Sequence, residues 1–291
     1  MIHHIRKLFD KVGNDDETLK WIREFSSHDG IFAVLKISGA SLRDYSGTIS
    51  EDLAMLSRLD LYSPVIYGWG DAFTKKLKEN GIKSRNHNSG VRITRKEELP
   101  ILEEIADEQG SLLEEELHNR GADSEILYNV FFASMKNLKG IKYEHRTGEV
   151  TEVDDERVNE CINKGSFPLI PPLGYDDDSR LMNINADSAA KSLVMAMLPR
   201  KYIMVTDSGG IKDSAGNLIP EVSISRDYGT LTRGDEGECI VSGGMKLKLD
   251  ETKNLIESVA PYRNLEVQIA HPSNLLQELF TDKGSGTYIT Q

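Results

Sequence analysis

The residues with the most chemical promise are lysines, an aspartate and glycines placed where an apolar run gives way to a helix. Lys36 lies in Ile31-Phe32-Ala33-Val34-Leu35-Lys36-Ile37, which ends in Ser38-Gly39-Ala40, and the run Ser63-Pro64-Val65-Ile66-Tyr67 ends in Gly68-Trp69-Gly70-Asp71. Tyr202 to Thr206 runs into Asp207-Ser208-Gly209-Gly210, and Gly243-Gly244-Met245 leads to Lys248. Backbone N–H groups of such turns can cradle phosphate oxygens, and glycine permits close approach. Lys36, Lys248 and Asp187, set beside these turns, look like a phosphoryl-transfer centre. One such turn is a weak signal, and a lone lysine is most often a surface charge. Lys36 is less ordinary because it comes off a buried strand.

No G-x-x-x-x-G-K-[ST] string and no H-R-D or D-F-G set occurs, which excludes the two commonest phosphoryl-transfer architectures. With 47 acidic against 35 basic residues the formal net charge is -12, which argues against a nucleic-acid partner. Two cysteines, Cys161 and Cys239, without CxxC spacing suggest neither a disulfide framework nor a zinc site. The N-terminus lacks the apolar core of a signal peptide and no run is long enough to span a bilayer, so a soluble, cytoplasmic protein with no membrane partner is expected.

The elements that must position these residues follow from periodicity. Ile5, Leu8, Phe9, Val12, Leu19, Ile22 and Phe25 recur at helical spacing around Gly13-Asn14, as one kinked helix or two short ones, packed on the domain or on another subunit. The run 31–37 reads as a strand buried on both faces, followed by a helix with Ser50 as candidate N-cap and Leu53, Leu56 and Leu59 inward. Strand 63–67, its glycine turn and the helix Ala72 to Glu79 repeat the pattern, which signals parallel βαβ units with ligands at the carboxyl ends of the strands. Lys96 to Asn119 is helical, and 126–153 alternates as a hairpin over the substrate side. Phe167 to Ile170 is a strand, Asn185 or Asp187 starts the helix Ser188 to Met197, and Tyr202 to Thr206 is a buried strand. A polar connector (Asp227 to Glu238), the helix Lys246 to Ser258, the strand Leu265 to Ile269 and a short helix Ser273 to Phe280 complete the α/β pattern. The expected fold is an open, mainly parallel sheet sandwiched by helices. Residues 1–27 are expected to form an N-terminal helical element and 28–291 one domain, with a substrate lobe of about 28–175 and a nucleotide lobe of about 176–291.

Taken in order, V-L-K-I-S-G-A (34–40), Y-G-W-G (67–70), G-V-R-I-T (90–94), N-I-N-A-D-S-A-A (183–190), V-T-D-S-G-G-I (205–211), S-G-G-M-K-L-K (242–248) and G-S-G-T-Y-I (284–289) resemble the amino-acid kinase superfamily. The resemblance covers essentially the whole chain and is nearest to the N-acetylglutamate kinases, in the kinase domain of the synthase and bifunctional synthase/kinase type. It implies transfer of the γ-phosphoryl of ATP to a side-chain carboxylate, with Mg2+ held by the ATP phosphates rather than by a protein cage. Lys36 and Lys248 would balance charge on the transferring group, and Asp187 would hold the lysines. On the acceptor side stand Gly68, Trp69, Gly70, Arg92 as a carboxylate clamp, and Asn183; on the nucleotide side stand Ser38, Gly39, Asp207, Gly209, Gly210 and Gly244. The partners implied are a small acidic amino acid, an arginine effector near the N-terminal helix and residues 271–286, and further copies of the chain in a homo-oligomer. His271, before a proline at a strand end, reads more readily as a capping or packing residue.

The chain departs from the family at Tyr67-Gly68-Trp69-Gly70-Asp71, where active members usually read H-G-G-G-P or H-G-A-G-P. An indole at position 69 is expected to block the site or reshape it for another acceptor, and Asp71 adds negative charge near phosphates. Ser38 stands where the first glycine of K-x-G-G is usual. Neither an acetyltransferase domain nor a coenzyme A site is expected. Three readings stay open: the N-acetylglutamate kinase reaction, a kinase with a shifted acceptor, and a kinase-dead module binding arginine or nucleotide.

Overall fold

The computed structural model describes residues 2–26, 31–233, 241, 243–262 and 264–291. Helices α1 (Ile2–Val12) and α2 (Asp15–Ser26) are separated by a turn at Gly13, so the N-terminal periodicity resolves into two short helices. Then come β1 (Ala33–Ile37), α3 (Gly39–Ser57), β2 (Val65–Tyr67), α4 (Gly70–Glu79), α5 (Leu99–His118), β3 (Ser124–Ile126), β4 (Phe131–Met135) and β5 (Thr147–Val153). They are followed by α6 (Asp155–Asn163), β6 (Phe167–Ile170), β7 (Leu173–Tyr175), β8 (Leu181–Ile184), α7 (Ala186–Met197), β9 (Lys201–Val205) and β10 (Glu221–Ser223). The chain continues through α8 (Ile224–Arg233), α9 (Gly243–Val259), β11 (Glu266–Ala270), α10 (Leu275–Phe280) and β12 (Thr287–Thr290).

Among the described residues one eight-stranded sheet runs in the order β10-β12-β11-β9-β1-β2-β6-β3, and every pairing is parallel except β11 with β12. The alternation of strand and helix dictates this, because a helical crossover returns each strand in the same direction. All five residues of β1 are buried, as befits a strand covered on both faces. Lys36 pairs in register with Ile66 on one side and Met204 on the other, so its backbone is fixed by two neighbours. Helices α1 to α5 and α10 cover one face around Leu35, Ile37 and Ile203, and α6 to α9 cover the other around Val34, Ile66 and Met204.

The antiparallel hairpin β4–β5 joins β7 and β8 in a small closed barrel beside the carboxyl ends of the central strands. β8 therefore sits with the strands assigned to the substrate lobe, although its residues follow position 175.

Boundaries differ from the sequence reading at several elements. The helix after β1 begins at Gly39, capped by Ser38, and runs through a break at Tyr45, with the Ser50 hydroxyl donating to Ser46 O at 2.7 Å inside it. Periodicity finds the apolar stripe but misses a cap that lies about four turns upstream of it. Asp227 to Arg233 is helical in α8 rather than connector, while 234–238 lie outside the described residues. α9 starts three residues before the expected Lys246.

The amino end of the sheet is closed by α2 and α10. Trp21 Nε1 donates to Asp282 Oδ1 at 3.0 Å, Lys20 pairs with the same carboxylate at 2.5 Å, and Phe25 packs edge-on to Phe280. Beneath them, fully buried Lys201 donates to the carbonyls of Glu278 and Thr281, each at 2.7 Å, and lies 3.9 Å from the Trp21 ring centre. The N-terminal helices thus pack on their own domain.

Candidate active site

The first strand ends in Ser38, whose hydroxyl accepts from Ser41 N at 3.1 Å and starts α3 immediately beyond the strand. This serine is an N-cap, which is the local reason a serine serves where the family usually has glycine. Gly39 is required for a different reason. A Cβ there would lie 2.7 Å from Gly68 O and 2.9 Å from Trp69 Cα, so the two turns after β1 and β2 touch backbone to backbone. Gly68 N also donates to Ile37 O at 2.9 Å. The pair of turns forms one floor, with the N-termini of α3 and α4 opening from it.

Opposite this floor, α7 starts from Asn185, whose side chain accepts from Asp187 N at 2.9 Å and Ser188 N at 3.1 Å. Asn185, not Asp187, is therefore the cap, and Asp187 in the first turn is free to turn inward. Its Oδ1 lies 2.8 Å from Lys36 Nζ and its Oδ2 3.4 Å from Lys248 Nζ. One carboxylate so bridges a lysine from β1 and a lysine from the second turn of α9. Lys36 and Asp187 are buried, with side-chain exposures of 5% and 11%, while Lys248 is more open at 19%.

Burial disfavours charge on Lys36, and the neighbouring Lys248 adds to it, so the Lys36 pKa lies below the ordinary lysine value despite Asp187. Burial works to raise Asp187, but both ammonium groups outweigh it and hold the carboxyl below the usual range. The centre carries two positive charges on one negative one, a surplus suited to an anion.

Lys36, Asp187 and Lys248 line a cleft of about 330 Å3 together with Ser38, Gly39, Gly68, Trp69, Gly70, Arg92, Asn183 and Asp207. Most of the residues singled out from sequence are thus brought to one place. Gly209 and Gly210 are not among that lining. Gly210 has φ +153, and a Cβ on it would sit 2.5 Å from Thr287 Oγ1, while Gly209 packs on His271. Their close approaches pin the loop after β9 against His271 and against Thr287 of β12. Gly244 lies in the first turn of α9. His271 accepts from Ser273 N at 3.2 Å and packs edge-on to Tyr45, a capping and packing role.

Trp69 does not block the cleft. Its indole, 5% exposed, packs edge-on to Tyr67 and into the core around Phe73, and only part of it forms the wall. Asp71 sits in the first turn of α4, where the helix dipole favours negative charge. Arg92 is not a free fork. Its Nη2 donates to Gly70 O at 3.0 Å and Thr74 Oγ1 at 2.7 Å, Nη1 donates to Ser84 Oγ at 2.6 Å, and the guanidinium lies 5.0 Å from the Phe73 ring centre. Both bidentate geometries of a guanidinium use Nη2, so Arg92 braces the start of α4 and keeps at most single contacts for a ligand.

Sequence reading missed Thr94 and Thr147. Asn183 Nδ2 donates to Thr94 Oγ1 at 2.7 Å, and Thr147 Oγ1 accepts from Thr94 N and donates to Arg92 O, both at 2.9 Å. These threonines hold the segment 92–94 and tie Asn183, at the cleft wall, by its amide nitrogen. They carry no sequence signature, because the pairs are 53 to 89 residues apart.

A fold of this strand order with two lysines converging on one helix-borne aspartate over glycine turns is that of a phosphotransferase of the amino-acid kinase type. Residues 32–271 match the family model described as Amino acid kinase family, and the chain belongs to that family. It is 32% identical over 94% of its length to "Acetylglutamate kinase" of Xanthomonas campestris pv. campestris, of which it spans 62%. It is 28% identical to "Acetylglutamate kinase" of Pelagibacter ubique, with 98% of each chain covered. Among solved structures, N-acetylglutamate synthase from Neisseria gonorrhoeae complexed with coenzyme A and L-arginine superposes with a TM-score of 0.82 at 21% identity, covering 96% of this chain and 65% of that one, a likeness of fold. The chain thus spans less than two thirds of the first relatives it matches. No helix among the described residues is long and apolar enough to cross a membrane.

Proposed function

We propose that this chain transfers the γ-phosphoryl group of ATP to the side-chain carboxylate of N-acetylglutamate. The acceptor oxygen attacks the γ phosphorus, the bond to the β–γ bridging oxygen breaks, and the products are ADP and an acyl phosphate. The acceptor is ionised at neutral pH, so no general base is needed and catalysis rests on positioning and charge. The observation that carries the reading is the single buried carboxylate of Asp187 holding Lys36 and Lys248 at one end of the cleft.

Lys36, fixed on the central strand, lies where charge on the transferring phosphoryl would develop, and Lys248 reaches the nucleotide side. The backbone floor of Gly39 and Gly68, and the N-termini of α3 and α7, suit phosphate oxygens. The donor set fits a polyphosphate: surplus positive charge, helix termini and a floor that a Cβ would obstruct. Magnesium bound to the nucleotide would neutralise phosphate charge and align the γ-phosphoryl, and we assign it to the phosphates themselves. Asn183 and the backbone about Gly68 to Gly70 face the acceptor, with Arg92 supporting that wall. Asp207 and the loop through Gly209 and Gly210, with Gly244, belong to the nucleotide side. Relatives named for the acetylglutamate reaction support this acceptor. An arginine effector acting where α2 meets α10, and assembly into a homo-oligomer in the cytoplasm, complete the reading.

The test is incubation with MgATP, N-acetylglutamate and hydroxylamine, with the acyl phosphate trapped as hydroxamate. The expected result is hydroxamate formed in step with ADP. ADP without hydroxamate, or activity only with a different acidic amino acid, would overturn the assignment of acceptor.

A further inference from the structure

Four charged residues join α7 to α9. Asp187 and Lys191 stand one turn apart on α7, and Lys248 and Glu251 stand one turn apart on α9. Asp187 faces Lys248 at 3.4 Å, and Lys191 Nζ lies 3.3 Å from Glu251 Oε2. The helices therefore run parallel from the cleft, linked by two rungs whose signs alternate along each helix. Leu193 of α7 and Leu249, Leu255 and Val259 of α9 are buried in the same apolar cluster.

Apolar packing between helices tolerates small axial slips, because leucine and valine surfaces are alike from turn to turn. The charges do not. A slip of α9 by one turn would set Glu251 beside Asp187, or Lys248 beside Lys191, and bring like charges together. Lys248 is a long side chain at the more open edge of the centre, with Asp187 as its partner in the cleft. Its placement over the phosphoryl site thus depends on the register of the helix that carries it. Another contact of α9, the 2.7 Å hydrogen bond from Tyr228 to Asp250, ties it to α8, on which Lys36 and Asp187 do not lie.

From this geometry we infer that Lys191 and Glu251 are positioning residues that set the register of α9 and hence the reach of Lys248. The inference rests on the phosphoryl-transfer reading for its activity readout, and it has a binding readout of its own. Glu251→Gln and Lys191→Gln are made singly and together in the full chain, with Lys191→Arg as the conservative control. Each Gln variant is expected to lower kcat about fivefold, the scale of one ion pair, with the KM for N-acetylglutamate unchanged. The double variant should lose no more than either single one, and Lys191→Arg should stay near the parent. Rates are taken well below the melting temperature of each variant, where a merely stabilising pair would leave kcat alone. Singles with full kcat, or a double variant showing the product of the two losses, overturn the inference. If the parent forms no hydroxamate, the acceptor reading fails by itself. The same four proteins are then compared for affinity for a non-hydrolysable MgATP analogue by calorimetry. There a non-additive loss of affinity supports the register role and an additive or absent one overturns it.

Discussion

Two buried lysines stand at opposite ends of the same parallel sheet. Lys201, at the amino end of β9, gives hydrogen bonds to two carbonyls, lies against Trp21 and has Glu266 at 3.7 Å. Lys36, at the carboxyl end of β1, has the Asp187 carboxylate as its close acceptor among the described residues and borders the cleft. Burial lowers the pKa of both, that of Lys201 to about 8. A buried lysine with a nearby carboxylate is therefore no mark of a site by itself. What separates the two is the remaining donor capacity: Lys201 spends it on the protein and is sealed by α2 and α10, whereas Lys36 keeps it for whatever enters.

The largest effect that would sharpen this contrast is Lys36→Ala, expected to lower hydroxamate turnover by about a thousandfold or more with little change in unfolding temperature. Lys201→Met should do the reverse, leaving kcat within about twofold at temperatures where the variant is folded. Loss of turnover in folded Lys201→Met would break the comparison. Gly39→Ala forces the two turns apart and should destabilise by about 1–3 kcal/mol, together with a rise in the KM for ATP, read by thermal melts and initial rates. Asn185→Ala removes the cap that frees Asp187, at a cost of about 1 kcal/mol, with kcat falling more than the KM for either substrate.

The remaining effect is on pH. Lys201 releases its proton near pH 8 in the folded protein but near 10.5 when unfolded, so the unfolded chain binds more protons in that interval and stability rises as pH increases across it. Lys201→Met should flatten that rise between about pH 8 and 10, measured by chemical denaturation. Asp187 acts in the same sense at lower pH: its depressed pKa contributes stability that is present above pH 3.8 and is lost as the pH falls through the lower folded value.

The sequence made the carboxyl end of the sheet legible, because chemistry there is written in local strings: a buried strand, a glycine turn, a helix. Lys36, Asp187 and Lys248 could be named from such strings, and the backbone then brings them together. Arg92 could be named but not its commitment to Gly70 O, Thr74 and Ser84, which is a matter of where its side chain lies. The roles of Thr94, which closes the G-V-R-I-T string, and of Thr147, Lys191 and Glu251 left no trace, since each matters only through a partner distant in the chain. The cap Ser38 hid behind a stronger apolar stripe downstream, and the break at Tyr45, beside the weak helix formers Ser46 and Gly47, leaves no mark on the apolar periodicity. The lysine at the amino end went unnoticed for the converse reason: nothing beside it looks like a binding turn.

The place of β12 in the sheet has a consequence for the order in which the protein is made. β12 lies between β10 and β11 and hydrogen-bonds to both, parallel to one and antiparallel to the other. β10 emerges from the ribosome well before it, yet has no neighbour in the sheet until β12 arrives. Thr287 of that same strand anchors the loop after β9 through Ile211 N at 2.8 Å. Synthesis thus leaves one flank of the sheet, and the glycine loop beside the cleft, unfinished until a strand made after both slides into the gap. A nascent chain halted short of β12 would hold the two lysines and the aspartate without the loop that completes their surroundings.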